Sequence, residues 1–291
     1  MFFQQIVNGL LLGSTYSLTA LGFTLMLGVL GLLNFAHGEA FMISAYVGFT
    51  FAVLFKLPFE VAAIAGTLSA GAISVIIYYV SFAFVKREYM AAPILSTIGV
   101  AMLLQTVATR FWGSDIRPFP EPFGQDAVEV GPVLVSSVQI GTMLAAFALM
   151  AGFYVFLSRA KLGKAMRAIS ESPMHAALLG IRVEKTILAT FFISGMLAGI
   201  AGILIGLIFH NLTPYMGTSV LLKAMTVMIL GGLGNAIGAM AGGLIIGIVE
   251  TFSVGYLGAS WRDALVFVIL ILVLVLKPSG LFGTRQHEEK L

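Results

Sequence analysis

Cysteine is absent from this chain, and charge is scarce. Asp, Glu, Lys and Arg together make up 10% of its 291 residues, where an ordinary soluble domain carries roughly 25%. Without cysteine there is no disulfide framework, no thiolate nucleophile and no Cys-based zinc or iron–sulfur site. So few charges cannot cover a globular surface, which excludes a soluble enzyme. Intrinsic disorder is excluded too, since it needs low hydrophobicity and high charge. The 4 histidines are scattered without metal-ligand spacing. No GxxxxGK[ST] phosphate loop occurs, so the chain cannot hydrolyse ATP by that route. No Lys or Arg precedes the first apolar stretch, so the N-terminus lacks a secretory n-region and reads as part of the first span.

What is present is apolar sequence. Hydrophobic residues make up 59% of the chain, and the mean hydropathy is +1.03. A spanning helix needs about 20 apolar residues. The runs predict spans at 5–31, 37–55, 61–84, 94–112, 138–157, 186–209, 219–247 (broken) and 263–277. The expected fold is an all-α polytopic bundle of about 8 spans (range ~8–10), a single transmembrane domain over 1–291. A multi-pass membrane protein follows.

Charge placement orients it. Segment 158–185 carries Arg159, Lys161, Lys164, Arg167, Arg182 and Lys185 and is expected in the cytoplasm by the positive-inside rule. Lys86 and Arg87 mark a second cytoplasmic turn, and Lys277, Arg285 and Lys290 place the C-terminus inside. Segment 113–137, with Asp115, Glu121, Asp126, Glu129 and prolines 118, 120, 122 and 132, reads as an external loop. Three spans before Lys86 put the N-terminus outside, and an even number of crossings must join 186 to 277. The net charge of +3 reflects basic cytoplasmic loops rather than a nucleic-acid partner.

Four features stand out. Asn34-Phe35-Ala36-His37-Gly38-Glu39 interrupts apolar sequence with polar groups. Broken helices are tolerated at membrane depth only inside protein or beside a cavity, so Asn34, His37, Gly38 and Glu39 are candidates for a path or gate. The alternative is a membrane-surface turn, with Asn34 capping the next helix and Glu39 at its positive end. In 158–185, basic residues at helical spacing predict an amphipathic surface helix. Ser172, Pro173 and Gly180 then delimit a short helix over 173–179, through N-cap, first-position proline and C′ glycine. Its apolar stripe of Met174, Ala177 and Leu178 suits a partner's groove.

Glycines 231, 234, 238 and 242 are expected to let helices pack closely, and Gly231–Asn235 to form a tight loop. Lys223 should sit near an interface or face the interior, given the cost of a charge at mid-membrane. Glu250 either lies buried beside a path or ends a span. Leu27–Gly31 echoes Leu230–Gly234, a hint of an internal repeat.

Taken in order, these segments resemble the permease subunits of branched-chain amino acid ABC importers, of the LivH type. The resemblance rests on Gly13-Ser14-Thr15-Tyr16, on Asn34–Glu39, and on Arg167-Ala168…Glu171…Ala176–Ile181. It continues through Pro214–Gly217…Lys223-Ala224, Leu230–Gly234…Gly238…Gly242-Gly243 and Lys277–Gly283. It implies no catalytic residues and no cofactor in this chain. The implied partners are a second homologous permease, two ABC ATPase subunits, a periplasmic amino-acid-binding protein and membrane lipid, and the implied location is the bacterial cytoplasmic (inner) membrane. The cargo class would be leucine, isoleucine and valine. Glu171, Ser172, Pro173, Ala176, Ala177 and Gly180 would form the ATPase coupling loop. Two residues separate Ala-Ala from Gly here, where the general importer motif has three, and the turn at Lys86–Pro93 is less basic than the family suggests. The competing reading is a secondary transporter, which would need Glu39 or Glu250 as a titrating group.

Overall fold

The computed structural model describes residues 1–85, 91–120, 127–130 and 133–283. The turn at Lys86 and Arg87, and the charges at 121, 126, 285 and 290, lie outside the described residues. Eleven α-helices appear among those described. They are α1 (Phe2–Leu30), α2 (His37–Phe49, continued by a π-helical turn to Leu54), α3 (Phe59–Tyr78, likewise continued to Ala83) and α4 (Ala91–Trp112). Then follow α5 (Ser137–Arg159), α6 (Lys161–Glu171), α7 (Pro173–Leu178) and α8 (Val183–Phe209). The last are α9 (Met216–Gly231), α10 (Ala236–Tyr256) and α11 (Arg262–Leu276). Eight of these segments are long and apolar enough to cross a bilayer. The protein is therefore an all-α polytopic bundle.

The broken span expected over 219–247 is two helices. Asn235 separates them: its Oδ1 accepts from the Gly238 N–H at 3.0 Å and starts α10. The 16-residue α9 is about 24 Å long, short of the ~30 Å hydrocarbon core. Counting it gives four helices between residues 183 and 276.

Strands are few and mark one face. β1 (Arg117–Pro118) pairs antiparallel with β4 (Asn211–Leu212), and β2 (Ala127–Val130) with β3 (Val133–Ser136). Gln4 in α1 bonds the backbone of Leu134 in both directions, at 2.9 and 3.0 Å, so the N-terminus lies on this hairpin face. The opposite face carries α6 and α7. There the tail after α11 seals the α9–α10 turn: Leu281 N–H donates to Leu230 at 2.7 Å and Phe282 N–H to Gly231 at 3.1 Å.

The helices repeat with inverted direction. α1 ends at Gly31 in the left-handed region (φ 70), and α8 ends at His210 in the same region (φ 54). The chain then turns back, and the interval from Gly31 to the start of α2 equals that from His210 to the start of α9. α1 packs along α10 as α8 packs along α3, and α2 lies against α8 as α9 lies against α1. The repeat thus pairs α1–α4 with α8–α11. The echo between Leu27–Gly31 and Leu230–Gly234 is not this repeat, because it aligns the end of α1 with the end of α9.

Candidate functional site

Both re-entrant segments reach the middle of the bundle. His37 Nε2–H donates to the carbonyl of Thr19 at 3.3 Å, and its ring lies 5.5 Å from that of Phe23. Thr19 is near the midpoint of α1. So α2 starts at mid-depth, not at the membrane surface as the alternative reading had it. Non-helical backbone at that depth must find partners inside the protein. Phe35 N–H donates to Thr97 Oγ1 at 3.1 Å, and Ala36 N–H to Asn34 Oδ1 at 3.0 Å. The Asn34 amide nitrogen turns to Met26 Sδ at 3.6 Å. Asn34 therefore closes the loop before α2.

Gly38 and Gly217 are the second residues of α2 and α9, and their backbones touch. A Cβ on either would run into the other's carbonyl oxygen. Glu39 sits beside this contact, fully buried. Its Oε1 accepts from Gln105 Nε2 of α4 at 2.8 Å and from Thr218 Oγ1 of α9 at 3.4 Å, and Gln105 also bonds Thr218. The carboxyl thus joins α2, α4 and α9, close to two helix starts whose dipoles favour negative charge. Its Oε2 has no hydrogen-bond partner among the described residues. Asn34, His37, Gly38 and Glu39 come together as a sealed helix junction, and none of them faces open solvent in this conformation. Sequence reading missed Gln105, Thr218 and Gly217. Gly217 had a legible signal, since it lies in the quoted Pro214–Gly217 run.

A second polar cluster joins α9, α10 and α11 to α1. Lys223 Nζ is 2.7 Å from Glu250 Oε1, 3.3 Å from Asp263 and 3.1 Å from Tyr16 Oη. Arg262 Nε is 3.3 Å from the same Glu250 oxygen. Lys223 faces the interior, and Glu250 is buried rather than a span end. Their pairing across α9 and α10 was not foreseen.

On the opposite face, Ser172 Oγ accepts from the His175 N–H at 3.3 Å, and Pro173 opens α7. α7 runs to Leu178, with Gly180 at φ 83 just beyond. Ala176 is buried against the neighbouring helices, while Ala177 is exposed and Met174, Leu178 and Leu179 are 74%, 77% and 80% exposed. Glu171 closes α6, whose buried side is Gly163, Met166 and Ile169. Of the glycines expected to pack helices, Gly231 and Gly238 meet backbone to backbone, and Gly242 abuts the Val227 carbonyl. Gly234 does not pack: nothing lies within 4 Å of where its Cβ would be. Its φ of 78 makes it a turn residue, in a region where a side chain is disfavoured.

A bundle of inverted helix repeats, broken at mid-depth and carrying its polar groups at the break, defines a membrane transport protein. The family described as "Branched-chain amino acid transport system / permease component" matches residues 5–274. The chain belongs to that family. It is 36% identical to the high-affinity branched-chain amino acid transport system permease protein LivH of Salmonella typhimurium, covering 99% of this chain and 97% of that protein. It is 34% identical to BraD of Pseudomonas aeruginosa, a permease of the same description, over 99% and 98%. Among solved structures, PsaBC from Streptococcus pneumoniae in complex with Fab has the same fold. Its TM-score is 0.53 at 14% identity, with 94% of this chain and 91% of that one covered.

Proposed function

We propose that the chain is a transmembrane permease subunit of an ATP-driven importer for branched-chain amino acids in the cytoplasmic membrane of a bacterium, forming half of the translocation path. Family membership and near-full-length similarity to LivH and BraD support the cargo class. The observation that carries the ATP-driven reading is α7. A six-residue helix, capped at both ends, presents Met174, Leu178 and Leu179 to solvent beside the basic α6. A plain connector gains nothing from three large exposed apolar side chains, and such a patch on a delimited helix supports a docking partner. In this reading segment 158–185 is cytoplasmic, segment 113–137 and the N-terminus are external, and the C-terminus is internal.

The partners are ATPase subunits at α7, a second permease beside this one, and a soluble binding protein on the hairpin face. Glu171, Ser172, Pro173, Ala176, Ala177 and Gly180 shape and present the coupling helix. Movement of α7 passes through α6 and α8 to the junction of α2 and α9. Parting of Gly38 from Gly217 there, with rearrangement at Asn34, His37 and Glu39, is the gate.

Reconstituted uptake tests the reading. Leucine uptake should require ATP, ATPase subunits and binding protein together, and the chain alone should show none. Ala177→Asp and Gly180→Arg should insert normally and lose ATP-driven uptake. Uptake by the lone chain down a proton gradient, abolished in Glu39→Gln, would replace this reading with a secondary transporter.

A further inference from the structure

A cavity of about 330 Å³ opens on the hairpin face, toward the N-terminal end of α1. It lies where the first turns of α1, α5 and α11 meet the last turns of α8 and α10. Its wall is divided by chemistry. Glu250 and Arg262 supply one charge of each sign, and Gln5, Asn8, Gln139 and Thr251 supply neutral polar groups. Leu12, Ile208 and Phe209 supply an apolar side. Glu250 is 1% exposed, and its Oε1 already serves Lys223 and Arg262. Its other oxygen, Oε2, has no hydrogen-bond partner among the described residues. An unpaired carboxylate oxygen in so buried a setting costs free energy until a donor reaches it.

We propose that this cavity binds a small zwitterion, one carrying a primary ammonium and an anionic group. The ammonium would donate to Glu250 Oε2. The anion would take the Arg262 guanidinium, which offers five N–H donors and is 41% exposed. Asn8 uses its carbonyl for Gln4 at 3.2 Å and keeps amide hydrogens to donate to the same anion. An apolar side chain would lie on Leu12, Ile208 and Phe209.

Charge balance selects a zwitterion over an ion. Lys223 and Arg262 are matched by Glu250 and Asp263, so the cluster is neutral. A net-neutral ligand leaves it so, whereas a lone cation or anion would not. A free α-amino acid and an ethanolamine-phosphate lipid headgroup share this chemistry. The inference rests on the cavity and is independent of which solute crosses at the α2–α9 junction.

The chain has 2 tryptophans, and Trp261 is the chain neighbour of Arg262, which lines the cavity. The experiment uses Trp112→Phe protein in nanodiscs of phosphatidylcholine and phosphatidylglycerol, titrated with leucine and with glycerophosphoethanolamine, the net-neutral diester, while Trp261 emission is read. Saturation by leucine assigns a free amino acid, and saturation by glycerophosphoethanolamine alone assigns a lipid headgroup. Either supports the site. 4-Methylpentanoate, which lacks the ammonium, and leucinamide, which lacks the carboxylate, should bind at least tenfold more weakly. Asn8→Phe, which fills the cavity, and Arg262→Gln should each remove saturation while the unfolding temperature in detergent stays within a few degrees. No saturation by either zwitterion, equal binding of the three leucine analogues, or saturation unchanged in Asn8→Phe overturns the proposal.

Discussion

Gly38 and Gly217 meet backbone to backbone, each the second residue of a helix that starts near the midpoint of α1. The contact is symmetric, since each would block a Cβ on the other. It lies where the two inverted halves of the fold cross. Gly38→Ala should therefore force the helix starts apart, because backbone cannot swing aside as a side chain does. Overpacking of this kind costs about 1–3 kcal/mol. Gly99→Ala is the control, with nothing within 4 Å of its Cβ position in the middle of α4, and it should gain up to about 1 kcal/mol from helix propensity. Unfolding temperatures in detergent read the difference, and uptake should fall only for Gly38→Ala.

Glu39 separates charge from hydrogen bonding. Its Oε1 accepts from Gln105 and Thr218, and a glutamine carbonyl can do the same. Glu39→Gln should thus leave stability within about 1 kcal/mol of the parent, whereas Glu39→Leu strands two donors and should lose about 1–3 kcal/mol. If the junction is the gate, Glu39→Leu should also lower the ATP-driven uptake rate by more than its loss of folded protein explains. Equal stability of the two variants would show that the hydrogen bonds to α4 and α9 contribute nothing.

Lys223 and Glu250 form a buried pair, with side-chain exposures of 12% and 1%. Lys223→Met should cost about 3 kcal/mol or more, because it leaves a buried carboxylate short of a partner. Lys223→Met combined with Glu250→Leu should recover much of that loss, since apolar replacement of both partners removes the desolvation penalty as well. Asp263 is 65% exposed, so Asp263→Asn should change stability by no more than about 1 kcal/mol. A double variant no more stable than Lys223→Met would sink the pairing argument.

The parts of this fold legible in the sequence are those written in short-range chemistry. Apolar runs located the long helices, because a bilayer demands length and hydrophobicity together. Ser172, Pro173 and Gly180 delimited α7, because capping is local. The depth of Asn34–Glu39 was not legible. A polar break in an apolar run reads the same at the surface as at the middle, and only Thr19 and Thr97, far off in sequence, reveal which. Gly234 shares a four-residue spacing with Gly238 and Gly242, yet its backbone angle belongs to a turn. The Lys223–Glu250 pair was invisible for a related reason. Each is a lone charge in its own helix, and only the packing of α9 on α10 makes them partners.

Ser172 is the final test of how α7 is held. A helix of six residues is far below the length at which helices persist alone in water. Its anchors are the Ser172 cap, Pro173 at the first position and the buried side chain of Ala176. Ser172→Ala removes the cap and should cost about 1 kcal/mol locally. The spans do not depend on that bond, so the global unfolding temperature should barely move. Amide hydrogen exchange should accelerate several-fold at 174–179 and stay unchanged in α8. If α7 engages the ATPase as proposed, its fraying should lower coupled uptake two- to tenfold, about the factor that ~1 kcal/mol supplies. Ser172→Asp, which can cap as well as serine, should restore protection and uptake together. Rescue of exchange without rescue of uptake would separate the fold of α7 from the coupling role given to it.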